Sequence, residues 1–131
     1  MNTIHRAESM GHFLQVEGGQ LTVEKAAEIP ADLLQELQEK KTAVMEALER
    51  DKKMKRIGAT IGIPGEIYTW SLSPYSSIFV ERARDRWELY RMNHYANRPP
   101  YIKVIAAGTT FKYIRGEAKR YIEYLSKDKS K

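Results

Sequence analysis

Apolar residues recur at helical intervals over Ile29–Leu48, where Leu33, Leu34, Leu37, Val44, Met45 and Leu48 form one stripe on a wheel. Pro30 suits the first turn of a helix, and Asp32 and Glu36 complement the positive end of its dipole. Glu36 and Lys40 form an i,i+4 pair in the favourable order. The spacing predicts one helix over Ile29–Asp51, with the Lys52–Lys53 run at its C-terminal end. Upstream, two short runs within Phe13–Val23 flank Gly18–Gly19 and predict a β-hairpin. Met1–Met10 reads as a short helix stopped at Gly11.

Downstream, Gly58, Gly62, Pro64 and Gly65 predict a loop over Ile57–Gly65, followed by a brief strand at Ile67–Leu72. Ser73 and Pro74 read as the N-cap and first position of a helix running to about His94. On that helix Phe79, Ala83, Trp87, Tyr90 and His94 share an arc. The NRPP run, Asn97–Pro100, would end it, because Pro99 disfavours the α region at Arg98. Tyr101–Ala106 is a strand and Gly108–Thr110 a turn. Phe111–Leu125 is a last helix with Ile114, Ala118, Tyr121, Ile122 and Leu125 inward, and Ser126–Lys131 is a fraying tail. The fold class is α+β: an αββα module at residues 1–51, a linker at 52–65, and a module at 66–131 with two helices and short strands.

The run GHFLQVEGGQLTVEKAAEIPADLLQELQEKKTAVMEAL, and VEGGQLTV before a leucine-rich helix in particular, resembles the TubC-type N-terminal docking domain. The resemblance covers roughly the first two-fifths of the chain. It implies a compact αββα module that docks a short peptide of a partner protein along the hairpin edge. The positions implied for docking are Leu14, Val16, Gln20, Leu21 and Val23. Met1–Met10 departs from the family pattern, offering only Ile4, Ala7 and Met10 where the family's first helix is rich in leucine.

Charge divides the chain more sharply than length does. Residues 1–51 carry five Lys/Arg against ten Asp/Glu, and residues 52–131 carry 17 against seven, so a net charge of +5 conceals a front of −5 and a back of +10. Twelve of the thirteen aromatic residues also lie behind residue 51. Two surfaces of opposite sign are expected, the basic one drawn to polyanions or to an acidic protein face. The chain has no cysteine, which excludes disulfides and thiolate metal sites and fits a reducing, cytoplasmic location. No run is long and apolar enough to span a membrane, and no membrane partner is expected.

The candidate binding residues are Arg82, Arg84, Arg86, Arg91, Arg98, Lys103, Lys112, Tyr113, Arg115, Lys119 and Arg120. Cations neutralise phosphates, and interleaved rings stack on bases; at helical spacing the rings equally read as core. The run GTTFKYIRGEAKR, Gly108–Arg120, lacks the Lys-Ser/Thr signature of a P-loop and reads as a strand-to-helix turn capped by Thr109 or Thr110. The histidines, His5, His12 and His94, lie in no metal-binding spacing, and no cofactor is expected. His94 with Glu88, Arg91 and Tyr95 is the one acid–base grouping that RNA cleavage could use; otherwise His94 caps a helix.

These patterns point to a non-enzymatic adaptor, of the kind a phage or mobile element would carry, that binds nucleic acid or a nucleic-acid-handling protein. One version inhibits a nucleic-acid-guided nuclease as an anti-defence factor. A pure protein-docking module and a small RNA-cleaving enzyme are the alternatives. A peptide at the hairpin edge and a second copy of the chain, joined as a homodimer, are further candidate partners.

Overall fold

The structure, a computed structural model, describes residues 1–129 and confirms an α+β fold. The chain divides into two compact units, one comprising Met1–Lys53 and Ile63–Glu66, the other Met54–Gly62 and the residues from Ile67 onward.

The first unit opens with helix α1 (Asn2–Ser9), which ends at Gly11. Gly11 has φ 86°, and the amides of Gly11 and His12 close on the carbonyls of Glu8 and Ala7, the Schellman pattern of a glycine-stopped helix. Strands β1 (Leu14–Glu17) and β2 (Gln20–Val23) pair antiparallel across Gly18–Gly19. Both glycines have positive φ, as a two-residue hairpin loop of this kind requires. A 3-10 turn, Ala26–Glu28, leads to α2 (Ala31–Glu39) and then α3 (Lys41–Arg56).

The single helix expected over Ile29–Asp51 is therefore two, with Pro30 as the N-cap of α2 and a break at Lys40 (φ −104°, ψ 18°). A straight helix of that length is about 35 Å long, too long for both ends to line one small core. Breaking at Lys40 lets Leu33 and Leu37 of α2 and Val44 and Ala47 of α3 join Ile4, Ala7 and Leu14 in a single buried cluster. Leu34, counted in the stripe, is 43% exposed instead.

Two further ties hold this unit. Glu36 accepts from Thr3 Oγ1 at 2.9 Å, Arg6 Nη1 at 3.0 Å and Lys40 Nζ at 3.3 Å, while Arg6 also pairs with Asp32. Buried Asp51 accepts from the Gly65 amide at 2.7 Å, and Arg50 Nε donates to the Gly65 carbonyl at 3.1 Å.

The second unit is a five-stranded antiparallel meander, β3 (Thr60–Ile63), β4 (Ile67–Ser73), β5 (Ser76–Ala83), β6 (Arg86–Asn93) and β7 (Tyr101–Gly108), followed by α4 (Phe111–Lys129). Residues 52–65, expected as a linker, hold the last turn of α3 and strand β3, and Ser126–Lys129 of the expected tail are helical. The last two tail residues lie outside the described part of the chain. α3 ends in a second Schellman closure at Gly58, and Trp70 Nε1 donates to the Ile57 carbonyl at 3.0 Å.

The helix expected over Pro74–His94 is a hairpin. Pro74–Tyr75 turns between β4 and β5, with Ser73 Oγ accepting from the Tyr75 amide at 3.1 Å, and Arg84–Asp85 turns between β5 and β6. The i,i+4 arc of Phe79, Ala83, Trp87 and Tyr90 arises by coincidence, because the same segment also alternates. Ile78 and Val80 on β5 and Trp87 and Leu89 on β6 are buried, and Arg86, Glu88 and Tyr90 lie between them. Alternation wins because it buries these residues against α4. Ile114 and Ala118 of that helix are fully buried, with Phe111, Tyr121, Ile122 and Leu125 packed around the same core.

Pairing fixes which side chains share a face. Trp87 pairs with Gly108 and Leu89 with Ala106, but Tyr90 pairs with Val104 and Arg91 with Lys103, so β7 carries one extra residue, Ile105, opposite the Leu89–Tyr90 step. Ile105 and Ala106 both pack on the core. The result is an α4 side with Tyr68, Trp70, Ile78, Val80, Trp87 and Leu89, and an opposite side with Phe79, Tyr90, Met92, Ile102 and Val104.

Candidate nucleic-acid interface

The cations of the second unit are distributed unequally between the two sides of the sheet. The register places Arg82, Arg91 and Lys103 on the α4 side and Arg86 on the other, where Glu88 meets it at 3.6 Å. Arg82 lies over the Trp87 ring, 5.9 Å from its centroid, a cation–π contact. Arg91 is half-buried: Nε donates to Ser76 Oγ at 3.0 Å and Nη1 to the Tyr121 hydroxyl at 3.4 Å.

α4 adds to the same side. Lys112, Lys119 and Arg120 are exposed on it and Arg115 is half-buried; Arg120 is paired with Glu117. The Arg115 Nε is buried without a hydrogen-bond partner among the described residues. Tyr113 is 47% exposed and lies against Gly108, where an added Cβ would fall 2.4 Å from its ring. That contact keeps a side chain off position 108 and fixes the ring beside the strand-to-helix turn. Thr110 caps α4 by accepting from the Tyr113 amide at 3.2 Å, as expected of an ordinary turn.

Two candidates stand apart. Arg84 is at the tip of the β5–β6 hairpin with φ 61°, and Arg98 is exposed in the loop before β7. Among the described residues Arg82, Arg84, Arg91, Arg98, Lys103, Lys112, Arg115 and Lys119 have no carboxylate within ion-pair distance.

The rings divide between the two readings that their spacing allowed. Tyr68, Trp70 and Trp87 are core, whereas Tyr75, Tyr95, Tyr101, Tyr113 and Tyr124 are each about half or more exposed. The opposite side of the sheet carries a stacked Phe79–Tyr90 pair, with Ile102 and Val104 each more than half exposed. That apolar face was not legible as such, because Phe79 and Tyr90 fall in the segment that reads as a helix, while Ile102 and Val104 fall in the separate Tyr101–Ala106 strand.

The grouping imagined for RNA cleavage is not assembled. His94 follows a strand and ends no helix; its amide donates to the Tyr75 carbonyl at 2.7 Å. Glu88 is six residues away along an extended chain, about 20 Å, on the side of the sheet that Arg91 does not face. No group of His, Asp and Glu that could hold a metal ion occurs among the described residues, and none of their helices is long and apolar enough to cross a membrane.

In the first unit the hairpin positions implied for docking divide by face. Leu14 is buried in the core, Leu21 and Val23 pack against it and Val16 is half-buried, whereas Gln20 is exposed. Three of the five thus serve the unit's own packing, and strand addition there would rest on the backbone of the hairpin edge.

Comparison with protein-family models, with curated proteins and with solved structures gave no match.

Proposed function

We propose that this chain is a non-enzymatic adaptor that binds nucleic acid, free or held by a nucleic-acid-handling complex, on the α4 side of its second unit. The observation that carries this reading is the segregation of charge. The α4 side collects Arg82, Arg91, Lys103, Lys112, Arg115, Lys119 and Arg120, while the opposite side has Arg86 already paired with Glu88. Of these only Arg120 has a carboxylate partner among the described residues, Glu117; leaving the other six without one on one side is unfavourable for the folded chain alone and favourable for meeting a polyanion. Exposed tyrosines beside them supply surfaces for bases. In the same reading the first unit docks a partner's peptide along the β1–β2 edge, as its resemblance to docking domains implies. Holding a guide or target backbone in this way would suit an inhibitor of a guided nuclease.

The test is fluorescence anisotropy with a labelled single strand and its duplex across a salt series. The logarithm of the affinity should fall linearly with that of salt, with a slope of several, between about 50 and 200 mM. Absence of binding at the lowest salt overturns the reading. A pure protein-docking module is then favoured, on the strength of the apolar Phe79–Tyr90–Val104 face.

A further inference from the structure

Arg91 and Lys103 are directly opposite each other on neighbouring strands, on the same side of the sheet. Like charges in that relation repel, and no carboxylate lies within ion-pair distance of either among the described residues. Arg91 is nevertheless held in place. Ser76 Oγ and the Tyr121 hydroxyl take its Nε and Nη1, leaving Nη2 without a partner among the described residues. An arginine held in place through two of its nitrogens, beside a lysine, keeps the third for an oxyanion. Two exposed rings adjoin it: Tyr101, two residues before Lys103 on the same face of β7, and Tyr124, 6.5 Å from Tyr121 between ring centroids.

We infer that Arg91 and Lys103 seat one phosphodiester of a single-stranded nucleic acid, with the adjoining base stacked on Tyr101. The inference rests on the nucleic-acid reading above and narrows it to one site and one class of strand. The phosphate relieves the repulsion between the two cations. The ring then demands an unpaired base, because a base inside a duplex offers no free face.

The experiment uses the full chain with a labelled oligothymidylate and a matched duplex. Lys103→Gln and Tyr101→Ala alter exposed side chains and should leave the fold intact by circular dichroism. Lys103→Gln should lower the salt slope by about 0.7, one phosphate contact on a single strand. Tyr101→Ala should weaken binding about 5- to 100-fold with the slope unchanged. Arg91→Lys keeps the charge and should keep the slope while losing affinity. Lys55→Gln, an equal loss of charge at the end of α3, should leave affinity within about twofold, the effect of a screened, distant charge. If Lys103→Gln and Lys55→Gln act alike, or the duplex binds as tightly as the strand, the seat is wrong while the nucleic-acid reading stands. If the wild-type chain binds neither, both fall.

Discussion

The rings of Phe79 and Tyr90 are stacked 5.2 Å apart, 17° from parallel, and the Tyr90 hydroxyl donates to Glu81 at 3.0 Å. Burial first, and then the Glu81 carboxylate, push the Tyr90 phenol up to about 12. The folded state therefore keeps this proton when the unfolded chain has lost it. The contribution is fully present below about 10, the ordinary tyrosine value, and is lost as pH rises from there through about 12. An absorbance titration of the phenolate band should show one late-ionising tyrosine that disappears in Tyr90→Phe. A Tyr90 that ionises with the exposed tyrosines would show that this ring pair is open to water.

Glu36 and Asp32 should respond at the other end of the pH scale. Hydrogen bonds from Thr3 and then Lys40 hold the Glu36 carboxyl below the usual range, and the bond from Arg6 does the same for Asp32. For depressed carboxyls the contribution is present above the unfolded values, near 4, and is lost as pH falls through the lower folded values. Thermal melts of Glu36→Gln should therefore lie below wild type at neutral pH and converge with it in acid. A gap of constant size across that range would mean that packing, not charge, is what the substitution removes.

Arg84 occupies the first position of a two-residue hairpin loop with φ 61°, a slot that favours glycine. Arg84→Gly should raise stability by up to about 1 kcal/mol, read from denaturant midpoints. The same change should weaken polyanion binding if the guanidinium at the tip takes part. A stabilised variant with unaltered binding would remove Arg84 from the interface.

Gly65 should tolerate no side chain. Its φ is 75°, and an added Cβ would fall 2.5 Å from Ala47 Cβ in α3. Its amide and carbonyl are already engaged by Asp51 and Arg50. Gly65→Ala should cost about 2–4 kcal/mol, strain and overpacking together, measured by chemical denaturation. Gly18→Ala meets no atom within 4 Å and serves as the reference for a positive-φ glycine without a steric neighbour.

The segments that could be read correctly from sequence were those whose local signals agree. Gly18–Gly19 marks the first hairpin, Gly11 stops α1, and Ile114, Ala118 and Tyr121 set the inner face of α4. The reading failed where two periods overlap. Between Ser76 and Asn93 the residues fit both a helix and two strands, and the turn between them is Arg84–Asp85, with neither glycine nor asparagine to reveal it. The break at Lys40 was hidden for a related reason: no local breaker marks it, and only the shared core of α2 and α3 requires it. As for the candidate site, the cations were legible as a composition. Their collection on one side of a sheet, and the meeting of Arg91 with Lys103, follow from strand pairing that composition does not contain.

The extra residue at Ile105 puts the two halves of β7 in different phase. Lys103 and Ala106 are an odd number of positions apart and yet point the same way. Deleting Ile105 would restore even alternation and leave both facing as they do. Inserting one residue between Lys103 and Val104 without a second bulge would send Lys103 and Tyr101 to the opposite surface, although neither of them is replaced. Which side chains this strand presents on each face is thus a matter of parity, and a frame one step out would exchange a cationic, tyrosine-bearing face for an oily one.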